Sequence, residues 1–273
     1  MRADQLLLSR GLAPTRSAAR RAIDGGAVEW LAARGWTRCT KAGEELDDGA
    51  ALRIVDDAEL RWASRGGLKL DAALERTGVD VRGRVCLDAG QSTGGFTDVL
   101  LARGAARVVG FDVGHGQLHP RLRGDPRVTA LEGLHVRELA GSALTGHAPA
   151  QGFDLLVADL SFISLAGALP HLAPWLRPGG DALLLAKPQF EVGRGHVGKG
   201  GLVRDATQRA RVEGIFGEAC AGVRWQLRGW FTSAVAGGDG NTEWVIVFPE
   251  RVQSFFEPLG RRLEQAILFG NAR

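Results

Sequence analysis

Four ionisable side chains stand where apolar runs begin or end. Asp159 closes the run Phe153-Asp154-Leu155-Leu156-Val157-Ala158, and Lys187 closes Ala182-Leu183-Leu184-Leu185-Ala186 and precedes Pro188. Glu243 opens Trp244-Val245-Ile246-Val247-Phe248, and Lys69 falls in the first turn of a helix read over Leu68–Thr77, after a Gly66-Gly67 pair that permits a sharp turn. The basic residues are otherwise nearly all arginine. A lysine can lose its proton and act as a base, whereas arginine stays charged. If the last strand runs antiparallel, the three strand-end residues Asp159, Lys187 and Glu243, with Asp88, reach one crevice at the carboxyl ends of parallel strands, into which Lys69 could point. Two lysines braced by two carboxylates there could take a proton from a hydroxyl as its oxygen attacks carbon. The other reading is a set of unrelated strand caps and a surface lysine.

The second chemical signal is Val85-Cys86-Leu87-Asp88-Ala89-Gly90-Gln91-Ser92-Thr93-Gly94-Gly95-Phe96-Thr97: a strand, a turn of small residues and a helix start. Such a turn admits close backbone approach by a ligand, and the helix end offers unpaired N–H groups. Further on, Val108-Val109-Gly110-Phe111-Asp112 reads as a strand ending in an acid able to accept from a ribose diol. The loop has neither Gly-x-Gly-x-x-Gly spacing nor a P-loop lysine. Asp88 is badly placed for a pyrophosphate and well placed for an amino group. S-adenosylmethionine, which has no phosphate and an amino-acid end, fits; a turn using glycine for its backbone angles alone also fits.

Positioning these residues requires alternating elements. Strands are read at 85–89, 108–112, 128–132, 154–159, 181–187, 224–232 and 243–248, and helices at 94–103, 134–141, 165–176 and 204–221. This alternation predicts an α/β fold with a mostly parallel sheet covered on both faces and an antiparallel hairpin at one edge. A closing helix is read over 252–268, with Phe255, Phe256, Leu259, Leu263 and Ile267 available for packing. Residues 1–56 form a small module: helices over Ala3–Arg10 and Ser17–Asp24, the second with Thr15 as N-cap, and short strands at Ala27–Trp30 and Ala51–Val55. Residues 57–83 read as a linker carrying the Lys69 helix, and 84–273 as the α/β domain.

Arg2, Arg10, Arg16, Arg20 and Arg21 gather in the first module, while the whole 273-residue chain has a formal net charge of only +3. A basic helix beside a small sheet suits RNA phosphates, or is a solvated arginine face. The cysteines, Cys39, Cys86 and Cys220, lie far apart without C-x-x-C, which favours a reducing compartment and gives no metal signal. No apolar run approaches the ~18 residues of a bilayer span, and the start lacks a secretory core.

The motifs carry a family resemblance. Ser64-Arg65-Gly66-Gly67-Leu68-Lys69-Leu70, the Asp88–Asp98 stretch, Asp112–Leu118, Asp159-Leu160-Ser161-Phe162-Ile163-Ser164, Lys187-Pro188-Gln189-Phe190-Glu191 and Val197–Asp205 resemble, in order, the haemolysin-A-like (TlyA-type) ribosomal RNA 2′-O-methyltransferases. The resemblance implies a Rossmann-like seven-stranded class I methyltransferase sheet of FtsJ-like type behind an α+β S4-like RNA-binding module. It implies S-adenosylmethionine as cofactor and ribosomal RNA, in a subunit or its precursor, as partner, in the cytoplasm, with neither membrane nor structural metal. It maps a catalytic set onto Lys69, Asp159, Lys187 and Glu243, with Lys187 as general base. Cofactor contacts fall on Asp88, Gly90, Ser92, Thr93, Gly94, Gly95, Phe96, Asp112, Asp159 and Phe162, and RNA contacts on Arg2, Arg10, Arg16, Arg20, Arg21 and Arg65. A small-molecule O-methyltransferase, a non-catalytic ribosome-assembly protein and a membrane-lytic protein are the competing readings. The chain departs from the family at Glu132-Gly133-Leu134-His135 and at Glu29–Trp36, where the usual strand–Asn-Gly–strand turn is replaced.

Overall fold

The computed structural model describes residues 1–55, 60–203, 206–235 and 241–248. The helix read over 252–268, its five packing residues and much of the loop before Asn241 lie outside them.

The first module opens with helices α1 (Ala3–Ser9) and α2 (Arg16–Asp24), the latter capped as expected by Thr15, whose hydroxyl accepts from Ala18 N at 3.1 Å. Strands β1 (Val28–Ala32), β2 (Gly35–Arg38) and β3 (Leu52–Ile54) form an antiparallel sheet in the order β2-β1-β3. The altered Glu29–Trp36 segment therefore still makes a hairpin, with Ala32 opposite Gly35, although it lacks Asn-Gly. Gly35, at φ +113°, supplies the left-handed backbone the tight reversal needs. Leu6, Leu7, Ala19, Ile23, Val28 and Leu46 fill this module's core.

Helix α3 (Arg65–Thr77) begins earlier than expected. Gly66 and Gly67 lie inside its first turn rather than forming a separate bend, and Lys69 is its fifth residue, past the first turn. The glycines serve close approach instead: a Cβ on Gly67 would lie 2.4 Å from Trp62 Cβ, and one on Gly66 would lie 3.6 Å from Asp159 Oδ2.

The remaining elements follow as β4 (Val85–Ala89), α4 (Gly95–Ala102), β5 (Arg107–Asp112), α5 (Pro120–Arg123), β6 (Val128–Glu132), α6 (Leu144–His147), β7 (Phe153–Ala158), α7 (Leu165–Leu172), β8 (Leu176–Ala186), α8 (Pro188–Glu191), α9 (Ala206–Gly222), β9 (Gly229–Thr232) and β10 (Trp244–Phe248). The seven strands β4–β10 are ordered β6-β5-β4-β7-β8-β10-β9. Adjacent pairs from β6 to β8 are parallel, and β10 is antiparallel to both β8 and β9, the edge hairpin read from sequence. Alternate residues feed opposite cores. Cys86, Val108, Val157, Leu183 and Val245 pack under α3 and α4, while Leu87, Val109, Leu156, Leu184 and Ile246 pack under α7 and α9. Burial on both faces is why these strands read as unbroken apolar runs.

Three boundaries differ for physical reasons. The helix expected at 134–141 shrinks to a 3₁₀ turn, Val136–Glu138, held by the His135 ring accepting from Arg137 N. The helix expected at 165–176 ends at Leu172, just after Pro170, and Leu176 already starts β8. β8 runs through Gly179-Gly180, where the pairing with β7 jumps from Phe153↔Leu176 to Leu155↔Asp181; the extra residues bulge out at Gly179, φ +70°. Before β9, residues 224–228 are not strand, and Arg224 takes φ +59°.

The Gly67–Trp62 contact is backbone against side-chain root and cannot relax by a rotamer change. Gly67→Ala should destabilise the protein by about 1–3 kcal/mol, read as a lower urea midpoint at unchanged m-value. Unaltered stability would show that Trp62 can move away.

Candidate active site

Strand register delivers the four catalytic candidates to one edge. Trp244 pairs with Ala186, so the next residue on each strand brings Glu243 beside Lys187. Ala158 pairs with both Ala89 and Leu184, and Asp159 N donates to Ala89 O at 3.0 Å, which places Asp159 at the same edge. Lys69 arrives from above on α3.

The four side chains form two ion pairs. Lys69 Nζ donates to Glu243 Oε2 at 2.5 Å, with both side chains almost wholly buried. Lys187 Nζ lies 2.7 Å from Asp159 Oδ1 and also donates to Ser161 Oγ at 2.7 Å. The carboxylate contact is off hydrogen-bond alignment, so it acts as an ion pair, and the aligned donation goes to Ser161. Burial raises the proton affinity of the Glu243 carboxyl, and Lys69 pulls it back. A second brace ties the loops that carry Asp159 and Lys187. Glu191, at the end of α8, accepts from Ser164 Oγ and Leu165 N, each at 2.7 Å, and so caps α7. Burial raises its carboxyl as well.

Beside the pairs lies a cavity of about 460 Å³. Of the expected cofactor residues, Gly90, Ser92, Asp112, Asp159 and Phe162 line it. Asp112 accepts from Ser92 N at 2.9 Å and from Gly114 N at 2.8 Å, one bond to each oxygen, which fixes its orientation and leaves lone pairs on both oxygens. Phe162 is 91% exposed, stands in the left-handed region at φ +64°, and meets the Phe190 ring at 5.4 Å between centroids.

Asp88 is fully buried behind this wall. Its Oδ2 accepts from Thr97 Oγ1 at 2.7 Å, and Gln91 Nε2 donates to the same hydroxyl at 2.9 Å. Its Oδ1 has no hydrogen-bond partner. Burial, with added repulsion from Asp159 and Asp112, pushes its carboxyl up to about 7. The remaining loop residues face the protein. Gly94 caps α4 at φ +91°, where a Cβ would strike Leu118 and Leu122; Gly95 abuts Ser64 Oγ; Thr93 O accepts from His119 N; and Phe96 is buried. Sequence reasoning missed Ser161, Val113, Gly114, Gln117, Leu134, His135, Val136, Leu160 and Ile163 on the cavity wall. Leu134 and His135 belong to the departing 132–135 segment, the one signal that could have flagged them.

The arginines of the first module divide by partner. Arg2 and Arg16 both donate to buried Asp4, at 3.1 and 2.8 Å; Arg2 foremost, and Arg16, hold that carboxyl down at about 2. Arg10 donates to the carbonyls of Asp48 and Ala50. Arg20 reaches Asp24 only at 3.8 Å, and with Arg2 and Lys41 it lines an open cleft of about 720 Å³. Arg21 is half-buried on α2, and Arg65 opens α3 in the other unit. Lys41 is a basic group the RNA assignment had left out. Among the described residues no cluster of metal-ligating side chains forms and no helix is long and apolar enough to cross a membrane.

Comparison with known proteins gives concordant findings. Residues 62–249 match the model of the FtsJ-like methyltransferase family, and residues 1–29 match the S4 domain. The chain is 45% identical over 247 residues to the 16S/23S rRNA (cytidine-2'-O)-methyltransferase TlyA of Mycobacterium tuberculosis, covering 90% of this chain and 88% of that one. It is 34% identical over 206 residues to the 23S rRNA (cytidine-2'-O)-methyltransferase TlyA of Campylobacter jejuni, covering 74% and 76%. A solved chain from Streptococcus thermophilus described as a candidate hemolysin superposes with a TM-score of 0.67 at 38% identity, covering 90% of this chain and 87% of that one.

The raised Asp88 carboxyl links stability to pH. The unfolded chain releases this proton near 3.8, while the folded chain keeps it to about 7. Asp88 therefore contributes stability that is full below pH 3.8 and lost as pH rises through 7, by up to roughly 4 kcal/mol. Asp88→Asn should flatten the stability–pH curve between about pH 4 and 7 relative to the parent, measured by urea unfolding across that range. Parallel curves for the two proteins would show that Asp88 ionises normally.

Proposed function

The chain belongs to the TlyA-type branch of the FtsJ-like methyltransferases, and on that footing we propose that it methylates a ribose 2′-oxygen in ribosomal RNA, using S-adenosylmethionine in the cytoplasm. The observation that carries this reading is the Lys187–Asp159 ion pair, at 2.7 Å, on the rim of the cavity that Asp112 also lines. Its target is ribosomal RNA, in a subunit or precursor; the two TlyA relatives are named for 16S/23S and for 23S rRNA.

The residues fit the cofactor by their donor and acceptor chemistry. The free Oδ1 of Asp88 is a buried acceptor in need of a donor, such as the amino group of the methionine end. Oriented Asp112 can accept from the ribose hydroxyls. When bound, the sulfonium supplies an electrophilic methyl group. Lys187 then holds the key proton step: its neutral amine takes the proton of the target hydroxyl as that oxygen bonds to the methyl carbon and the carbon–sulfur electron pair returns to sulfur. Asp159 steadies the resulting ammonium. Glu243 holds Lys69 as an ion pair at the same sheet edge, where its charge would favour negative character developing on the attacking oxygen.

The first module supplies affinity for the RNA. We assign residues 1–56 to docking and the remainder, from the Lys69 helix onward, to chemistry. A small substrate would have no use for the basic cleft, and a purely structural ribosome-binding protein would have no use for the buried lysine–carboxylate pairs.

Two variants separate these roles. Lys187→Ala should bind undermethylated ribosomal subunits normally while single-turnover transfer of a labelled methyl group falls by roughly 10²-fold or more; near-normal transfer would reject Lys187 as the base. Replacing both Arg20 and Lys41 by Ala should weaken RNA binding and lower its salt slope by about one to two, with cofactor affinity unchanged by calorimetry. This pair leaves Asp4 its Arg2 and Arg16 partners, so the module's fold is not the variable. An unchanged salt slope would place phosphate contact elsewhere.

A further inference from the structure

The base has a partner that the catalytic set does not include. Two oxygens contact Lys187 Nζ at 2.7 Å each: Asp159 Oδ1 and Ser161 Oγ. A neutral lysine amine has two N–H bonds and one lone pair in a tetrahedral array. One N–H bond is directed at Ser161 Oγ, and Asp159 Oδ1 holds the nitrogen by charge, off hydrogen-bond alignment, so the two contacts together narrow the directions left to the lone pair. We propose that Ser161 is a positioning residue for the methyl transfer: together with Asp159 it sets the rotation of the Lys187 amine so that the lone pair meets the incoming 2′-hydroxyl. This rests on the reading of Lys187 as the general base.

The local backbone is built for that contact. Asp159 is fixed by its N–H bond to Ala89 O, and Phe162 adopts a left-handed conformation directly after Ser161. A bulky residue tolerates φ +64° only where its surroundings impose it. Glu191 locks the arrangement from the far side, since it joins the loop after Lys187 to Ser164 and Leu165. Ser161 is exposed and lines the cavity, whereas Lys187 is buried, so the hydroxyl stands between the amine and the cavity.

The proton balance is closed. One proton passes from the 2′-hydroxyl to the lone pair of Lys187, the oxygen gains the methyl group, and the electron pair of the broken carbon–sulfur bond neutralises the sulfonium. The ammonium then keeps Ser161 and Asp159 as partners until it loses a proton to solvent.

A pH–rate comparison tests this. Parent, Ser161→Ala, Ser161→Thr and Lys187→Ala proteins are assayed in single turnover with undermethylated ribosomal subunits and saturating S-adenosylmethionine. Ser161→Ala should lower the plateau rate by about 10- to 100-fold. It should also move the midpoint of the rising limb to lower pH, because an oxygen that accepts from the ammonium and so favours it has been removed. Ser161→Thr, which keeps the hydroxyl, should restore both. S-adenosylmethionine affinity by calorimetry should stay within a few-fold of the parent. A normal plateau and midpoint in Ser161→Ala, with Lys187→Ala inactive, would overturn the role of Ser161 and leave the base intact. Near-normal transfer by Lys187→Ala would remove the base itself. A loss confined to cofactor affinity would reassign Ser161 to the cofactor wall.

Discussion

Two lysine ammonium groups are buried at the carboxyl edge of the large sheet, and the surrounding structure is arranged to pair them. An unpaired buried charge costs several kcal/mol, so each needs a carboxylate within contact distance. Glu243 serves Lys69 and Asp159 serves Lys187. The four residues come from α3, β10 and the loops after β7 and β8, so the pairs form only when those elements are in register. Charge pairing and sheet assembly are thus one event. A slip of one residue in β10 would turn Glu243 to the opposite face and strand Lys69.

The same edge shows how carboxylates within one small region meet different surroundings. Asp112 keeps its oxygens satisfied by two backbone N–H groups at the rim. Asp88, behind it, has one hydroxyl donor and one bare oxygen, and burial lifts it to about 7. Glu191 is raised by burial too, yet it caps a helix and joins two loops. Environment, more than residue type, separates an oriented rim carboxylate, a buried one with a bare oxygen and a structural brace.

In the first module the physical problem is reversed: one buried acid, Asp4, is shared by two arginines. Arg2 and Arg16 are therefore partly structural, and Arg10 is spent on backbone carbonyls. Clustering of arginines in sequence does not distinguish a side chain that fastens a helix from one that meets phosphate. The structure gathers Arg20 and Lys41 with Arg2 in one open cleft, beside Asp24 and Glu44.

Much was legible in the residues. Apolar runs ending in Asp88, Asp112, Asp159 and Lys187 are strands because both faces are buried, and a strand end at a parallel sheet's carboxyl edge is a site by topology. The antiparallel edge hairpin followed from the lack of a convincing helix between the last two strands, and it in turn placed Glu243 at the shared edge. Helix limits were less legible wherever glycine or proline has two uses. Gly66-Gly67 reads as a bend, but Gly67 makes room for Trp62 inside a helix, and Gly179-Gly180, outside the expected strand at 181–187, lies within a bulged one. The sequence by itself determined the order of strands and helices, the two units and the identity of the charged set, because periodicity and strand-end position are local properties. The Lys187–Asp159 pairing was also expected from the residues; only the tertiary structure decided that Lys69 meets Glu243, that Ser161 shares Lys187, and that Asp88 retains a bare oxygen. Those are distances between segments up to 174 residues apart, set by register and packing rather than by neighbours in the chain.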